Sequence, residues 1–218
     1  MTDAREAILE TVRRSLIGGD RRSTAGRIEI QERINNGGAH VRPVITGDLI
    51  KIFCEKHLAV HGTIDRLLNT TDIVGAFSRY FDAYDITPDL VIGSGPILDQ
   101  LNWPVDWKVE QRCADVHDRI VVSEAFCAVA ETGTLVFFRT PQVPTSHLFF
   151  AEDHLVLLDA TLISRHQEEV WLRLRSRDDV FPAAVNFITG PSKTGDVEQT
   201  IEYGAHGPRR VHIFLIDQ

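Results

Sequence analysis

The amino-acid sequence predicts an α/β fold: a mostly parallel sheet flanked by helices. Segments with apolar residues at helical spacing alternate with short apolar runs such as Leu90-Val91-Ile92 and Ile120-Val121-Val122, the pattern of strands joined through helices. Those runs are apolar at successive positions, as strands buried on both faces must be. The chain has 218 residues, 43% hydrophobic and 25% charged, enough for one sizeable core in an ordinary globular protein.

Ala4, Ile8, Leu9, Val12 and Leu16 recur at helical spacing before Gly18-Gly19, so a first amphipathic helix should end there. Residues 20–47 are polar, with isolated Ile28, Ile30 and Ile34, and read as a mobile linker with room for one short helix. Residues 1–47 thus form an N-terminal helix and linker arm, and 48–218 the α/β domain. The arm either docks on its own domain or reaches a second subunit in a homo-oligomer.

A second helix is expected from Asp48, through Leu49, Ile50, Phe53 and Leu58, and a third over residues 71–84 with Thr71 or Asp72 as N-cap. Between them His61-Gly62-Thr63-Ile64 reads as a short strand. Leu90-Val91-Ile92 runs into Gly93-Ser94-Gly95-Pro96, a plain reversal or a turn that approaches an anion. Strands follow at Trp107-Lys108-Val109 and Ile120-Val121-Val122. Residues 126–138 are apolar apart from Glu131-Thr132-Gly133-Thr134. The two prolines of 140–146 exclude a central strand there and make it a rim loop. Strands at 148–150 and 155–158, flanked by His147 and His154, which either line a site or are hydrogen-bonded rim residues, precede a helix over about 162–175.

The last segment, 183–218, reads as strand, turn, amphipathic helix, turn and strand. Apolar residues 185–189 stop at Gly190-Pro191, and Ser192 or Thr194 can cap a helix that opens there. Such a turn gathers backbone N–H groups under the positive end of the helix dipole, and Lys193 adds a full charge, so it suits a carboxylate or phosphate. Asp196 and Glu198 favour the same helix start. Gly204 can end the helix, and Gly207-Pro208 leaves His206 at a tight corner beside Arg209.

Glu131 demands an explanation, because a carboxylate inside a buried β segment costs several kcal/mol unless paired or facing a cleft. Either Gly133 admits a ligand that Glu131 binds or attacks as base or nucleophile, or the segment is a bulge or strand bend in which Glu131 caps N–H groups or pairs with an arginine. The net charge of −8 argues against a grip on nucleic acid or anionic lipid. No run is long and apolar enough to span a membrane, and the N-terminus lacks signal-peptide order, so the expected location is cytoplasmic. Cys54, Cys113 and Cys127 are scattered, which writes neither a disulfide framework nor a metal or iron–sulfur site. A Walker A loop would require glycine where Phe187 and Ser192 stand, and the serine-hydrolase, zincin and dinucleotide-binding signatures are missing too.

Two blocks carry a family resemblance: Ala130-Glu131-Thr132-Gly133-Thr134-Leu135-Val136, and Gly190-Pro191-Ser192 with Thr194, Asp196, Glu198, Gly204 and His206-Gly207-Pro208-Arg209. In this order they resemble the LUD domain of the lactate-utilisation protein C family, except that Lys193 replaces a more usual arginine and Gly195 a more usual alanine. The resemblance implies a fold like ribose-5-phosphate isomerase and the CoA transferases, and a part in oxidising L-lactate to pyruvate. Iron–sulfur clusters are then expected in partner proteins, with no cofactor or metal in this chain. The candidate catalytic residues are Glu131 and His206. Thr132, Gly133, Thr134, Gly190, Pro191, Ser192, Lys193, Thr194 and Arg209 are candidates to bind a small carboxylate or phosphate in a pocket shared by both blocks. Two alternatives stay open: a stand-alone CoA transferase-like or sugar-phosphate isomerase-like enzyme using Glu131, and a non-catalytic binding or sensing module.

Overall fold

The computed structural model describes residues 2–17, 23–35, 42–140, 143–177, 181–197 and 200–217. It divides into two compact units, Met1–Val44 and Ile45–Gln218. The first holds α1 (Thr2–Ile17) and α2 (Thr24–Asn35), so the segment read as linker contains a full helix. Ile8 and Val12 on α1, and Ile28, Ile30 and Ile34 on α2, are exposed. The Gly18-Gly19 stop lies outside the described residues.

The second unit contains α3 (Leu49–Ala59), β1 (Thr63–Leu67), α4 (Ile73–Tyr84), β2 (Asp89–Ile92), β3 (Lys108–Gln111), β4 (Ile120–Glu124), β5 (Cys127–Val129), β6 (Thr134–Phe138), β7 (Asp153–Asp159), β8 (Ile163–Ser164), α5 (Gln167–Arg175), β9 (Val185–Ile188), β10 (Lys193–Val197), β11 (Thr200–Tyr203) and β12 (Arg210–Ile216). Six strands form the main sheet in the order β1-β12-β7-β4-β2-β3, and every pairing in it is parallel. The predicted class is therefore the observed one.

Alternation along the central strands sends side chains into two cores. Leu155, Leu157, Phe214 and Ile216 face Phe77, Tyr80 and Phe81 of α4, while Val156, Leu158, Ile213 and Leu215 face Phe53 of α3 together with Leu135 and Phe137 of β6. One face is thus covered by a helix. The other is covered by α3 and by a second sheet, β8-β5-β6-β9, whose β5–β6 hairpin absorbs the long apolar segment around Glu131. Asp48 caps α3 by accepting from the N–H groups of Ile50 (2.9 Å) and Lys51 (3.4 Å). Before α4 it is Asn69 that accepts, from Thr71 N–H at 2.9 Å, and Asp72 makes no side-chain cap.

Three elements differ from expectation. Residues 145–148 form a short 3-10 helix and 149–150 a turn: Leu148 is buried, but Phe149 and Phe150 are 41% and 48% exposed, because the rim loop has not yet rejoined the sheet. Helix α5 starts at Gln167, since Ile163 and Ser164 pair in parallel with Ala128 and Val129. Most consequential, no helix follows Gly190-Pro191; β10 and β11 make an antiparallel hairpin with Lys193 opposite Tyr203 and an irregularity between Thr194 and Val197. Val197 and Ile201 have helical spacing, but Thr194, Gly195, Val197, Thr200 and Ile201 are poor helix formers, and the β-branched members suit a strand. The proposed N-cap and helix dipole at Ser192 and Thr194 do not exist. Glu198 lies outside the described residues.

Candidate functional site

The hairpin delivers the terminal block to the amino ends of the parallel strands. Ser192 N–H donates to Pro208 O at 2.9 Å, and Gly204 N–H donates to Ser192 O at 3.1 Å. Gly204 has φ +87°, and a Cβ there would lie 2.8 Å from Arg209 Cβ, so only glycine lets the returning chain pack this closely. The corner borders a cleft of about 650 Å³ lined by Val116, Phe149, Phe150, Glu152, Tyr203, Gly204, His206, Gly207 and Arg209, among others. Its walls precede β4, β7 and β12.

Charge in this region is unevenly committed. Asp153 is fully buried and takes a bidentate ion pair from Arg210, with Nη2 to Oδ2 at 2.7 Å, and a hydrogen bond from Tyr80 Oη at 2.8 Å. Desolvation, followed by the Asp153 charge, pushes the Tyr80 phenol pKa up. Glu152 pairs with Arg210 at 3.1 Å and Arg119 at 3.5 Å. By contrast, among the described residues neither Arg209 nor His206 has a hydrogen-bond or ion-pair partner. Lys193 Nζ lies 5.8 Å from the centre of the Tyr203 ring. An exposed guanidinium and imidazole thus stand beside an acid already paired with two arginines.

The central turn is built differently. Glu131 Oε2 lies 3.0 Å from His166 Nδ1, and His166, 7% exposed, stands just before α5. Thr132, Thr134 and Thr189 form a hydroxyl chain at 2.6 and 2.7 Å. Gly133 has φ +69°, and a Cβ would sit 2.5 Å from His57 N; at Gly190, φ +72°, it would sit 2.7 Å from Val60 O. Both glycines therefore accommodate the backbone near the C-terminal end of α3.

A further cleft, about 450 Å³, opens among residues following β1 and β2, with Thr70, Thr71, Pro96, Ile97, Gln100 and Asn102 in its lining. Beside it, Glu124 at the carboxyl end of β4 accepts from Ile97 and Leu98 N–H at 2.8 and 3.1 Å. Burial pushes its pKa above the ordinary carboxyl value.

The family model for the LUD domain matches residues 2–216. The chain belongs to the LUD domain family. Among its relatives, Lactate utilization protein C of Shouchella clausii is 24% identical over 100% of this chain and 99% of its own length. The Geobacillus thermodenitrificans protein of the same name is 24% identical over 78% of each. An uncharacterized protein of Neisseria meningitidis is 35% identical over 43% of this chain, and the match spans only 40% of that protein. The crystal structure of a DUF162 family protein from Deinococcus radiodurans superimposes with a TM-score of 0.56, at 15% identity, over 80% of this chain and 99% of that one, which shows a shared fold.

Within this LUD domain, His206 and Arg209 line one cleft, and Lys193 and Ser192 adjoin it through Tyr203 and Gly207. Thr194 is in β10, opposite Glu202. Gly190 and buried Pro191 form the link to the central turn, which the Thr134–Thr189 bond holds beside β9. Glu131, Thr132, Gly133 and Thr134 do not line the His206 cleft. Sequence reasoning missed Phe149, Phe150, Tyr203 and His166. For the two phenylalanines an apolar run simply read as strand, and nothing local to His166 announces a partner 35 residues away. Asp153 did carry a signal, an acid opening an apolar run. Among the described residues no group of three or more His, Cys, Asp or Glu is placed to hold a metal ion, and no helix is long and apolar enough to cross a membrane.

Proposed function

We propose that this LUD domain protein serves in the oxidation of L-lactate to pyruvate as a subunit or accessory factor of iron–sulfur partner proteins, and that it binds a small carboxylate or phosphate in the His206–Arg209 cleft. The observation that carries the reading is the end-to-end match to Lactate utilization protein C. The cleft supplies the ligand half: Arg209 offers a planar fork of donors to an oxyanion, and His206 a second polar group beside it. Lactate oxidation releases two electrons, and the half-buried Cys54, exposed Cys113 and buried Cys127 offer no grouped ligands for a cluster. Electron carriage is therefore assigned to the partners.

Reconstitution tests this reading. Lactate-dependent electron transfer should appear only when cluster-bearing partners are added, and Arg209→Gln should weaken calorimetric binding of L-lactate, pyruvate or phosphate by about tenfold, the loss of one charge-assisted contact. Turnover by the isolated chain that Glu131→Gln abolishes would instead support a transferase-like enzyme, for which the Glu131–His166 pair is the favouring observation.

A further inference from the structure

The cleft is larger and more aromatic than a three-carbon hydroxy acid requires. Its 650 Å³ falls within the range of pockets that enclose drug-sized ligands, about 300–1,000 Å³. Phe149 and Phe150 expose 41% and 48% of their surface here, although nearby Leu148 and Ala151 are buried. Tyr203 brings a third ring, packed edge-on against His61 at 5.6 Å with Lys193 above it. Rings left in water are costly in this number unless something flat covers them. Gly204, Ala205 and Gly207 carry little or no side chain, so the corner leaves its backbone open to a close approach.

The charged groups are as selective as the rings. Glu152 is the carboxylate in the lining, and Arg210 and Arg119 neutralise it. Arg209 and His206 remain uncommitted among the described residues, with Lys193 parked on an aromatic face from which a stronger anion can draw it. A ligand that satisfies the cleft must couple a flat apolar ring to an anionic end of more than one charge.

The geometry points to a phosphorylated aromatic heterocycle, a nucleoside diphosphate in size and chemistry, as the ligand of this cleft: its base lies against Phe149 and Phe150 and its phosphates meet Arg209, His206 and Lys193. This rests on the reading of the cleft as an anion site, and names the remainder of the molecule to which the anion belongs. Bases stack on aromatic side chains without regard to sequence, and arginine takes phosphate through paired hydrogen bonds.

Calorimetric titration of the full chain with ADP, adenosine, inorganic phosphate and L-lactate decides the matter. ADP should bind about tenfold or more tighter than either adenosine or phosphate, since each half supplies a separate contact. Phe150→Ala should weaken ADP about tenfold while leaving phosphate unchanged, and Arg209→Gln should weaken both. Both side chains are exposed, so circular dichroism should report intact folds. Phosphate or lactate binding that depends on Arg209, with ADP no tighter, overturns the nucleotide and leaves the anion site standing. Failure of all four ligands overturns both readings, and ADP binding indifferent to Phe150→Ala and Arg209→Gln places the nucleotide elsewhere and overturns the inference.

Discussion

Asp153 shows what a single residue carries. Fully buried, it receives Arg210 in a bidentate pair and Tyr80 in a hydrogen bond, and so fastens the start of β12 to the start of β7 and to α4. Asp153→Ala leaves Arg210 partly buried without its main partner and should cost about 3–5 kcal/mol in urea denaturation. Arg210→Met in the same chain should recover part of that loss, because it removes the orphaned charge. His154 argues from the opposite direction. Neither ring nitrogen has a partner among the described residues, and burial pushes its pKa down to about 3 from an ordinary 6.5; burial likewise lowers His212 to about 4. The unfolded chain binds protons that these folded histidines refuse, so their stabilisation is complete above pH 6.5 and drains away as pH falls, toward about 4 for His212 and about 3 for His154. The expected slope is about 1.4 kcal/mol per pH unit for each. His154→Leu should flatten the measured stability-against-pH curve by one such contribution; an unchanged curve would contradict the assignment.

At the scale of elements, α3 is the support for both sequence-nominated turns. Gly133 meets its backbone at His57, and Gly190 meets Val60 just beyond it. Gly133→Ala and Gly190→Ala should each destabilise by more than about 1 kcal/mol, combining a left-handed φ with a backbone collision. Gly195, with nothing within 4 Å of a Cβ, should tolerate alanine to within about 0.5 kcal/mol. Thermal melts of the three variants side by side test the contrast. The β10–β11 hairpin is where sequence periodicity misled: a helix and a strand pair compete for 192–203, and β-branched residues with Gly195 favour the hairpin, which positions Ser192 against Gly207. Glu131 was legible as an acid in an apolar stretch that requires a partner, although it sits in the β5–β6 turn with its side chain 27% exposed rather than buried. That the partner is His166 was not, because the contact joins the β5–β6 turn to the segment preceding α5.

Across the whole molecule, the division after Val44 leads to a direct expectation. A chain beginning at Ile45 should retain the unfolding midpoint of the full protein by calorimetry and bind phosphate equally well, since every residue nominated for the cleft follows that point. Loss of either would show that the first unit supports the second. The sheet order also relocates the candidate site. Parallel α/β sheets offer crevices at their carboxyl ends, where Glu124 and the 450 Å³ cleft sit here, yet His206 and Arg209 line a cleft at the amino ends.

The sequence by itself determined the fold class, most strands of the main sheet, the start of α3 and the two blocks that place the chain in its family, because hydrophobic period and glycine positions are local properties. Tertiary structure alone decided which residues meet. Pairings such as Glu131 with His166 and Asp153 with Arg210, the aromatic lining beside Arg209, and the choice of hairpin over helix depend on segments distant in the chain, whose approach is set by packing across the sheet.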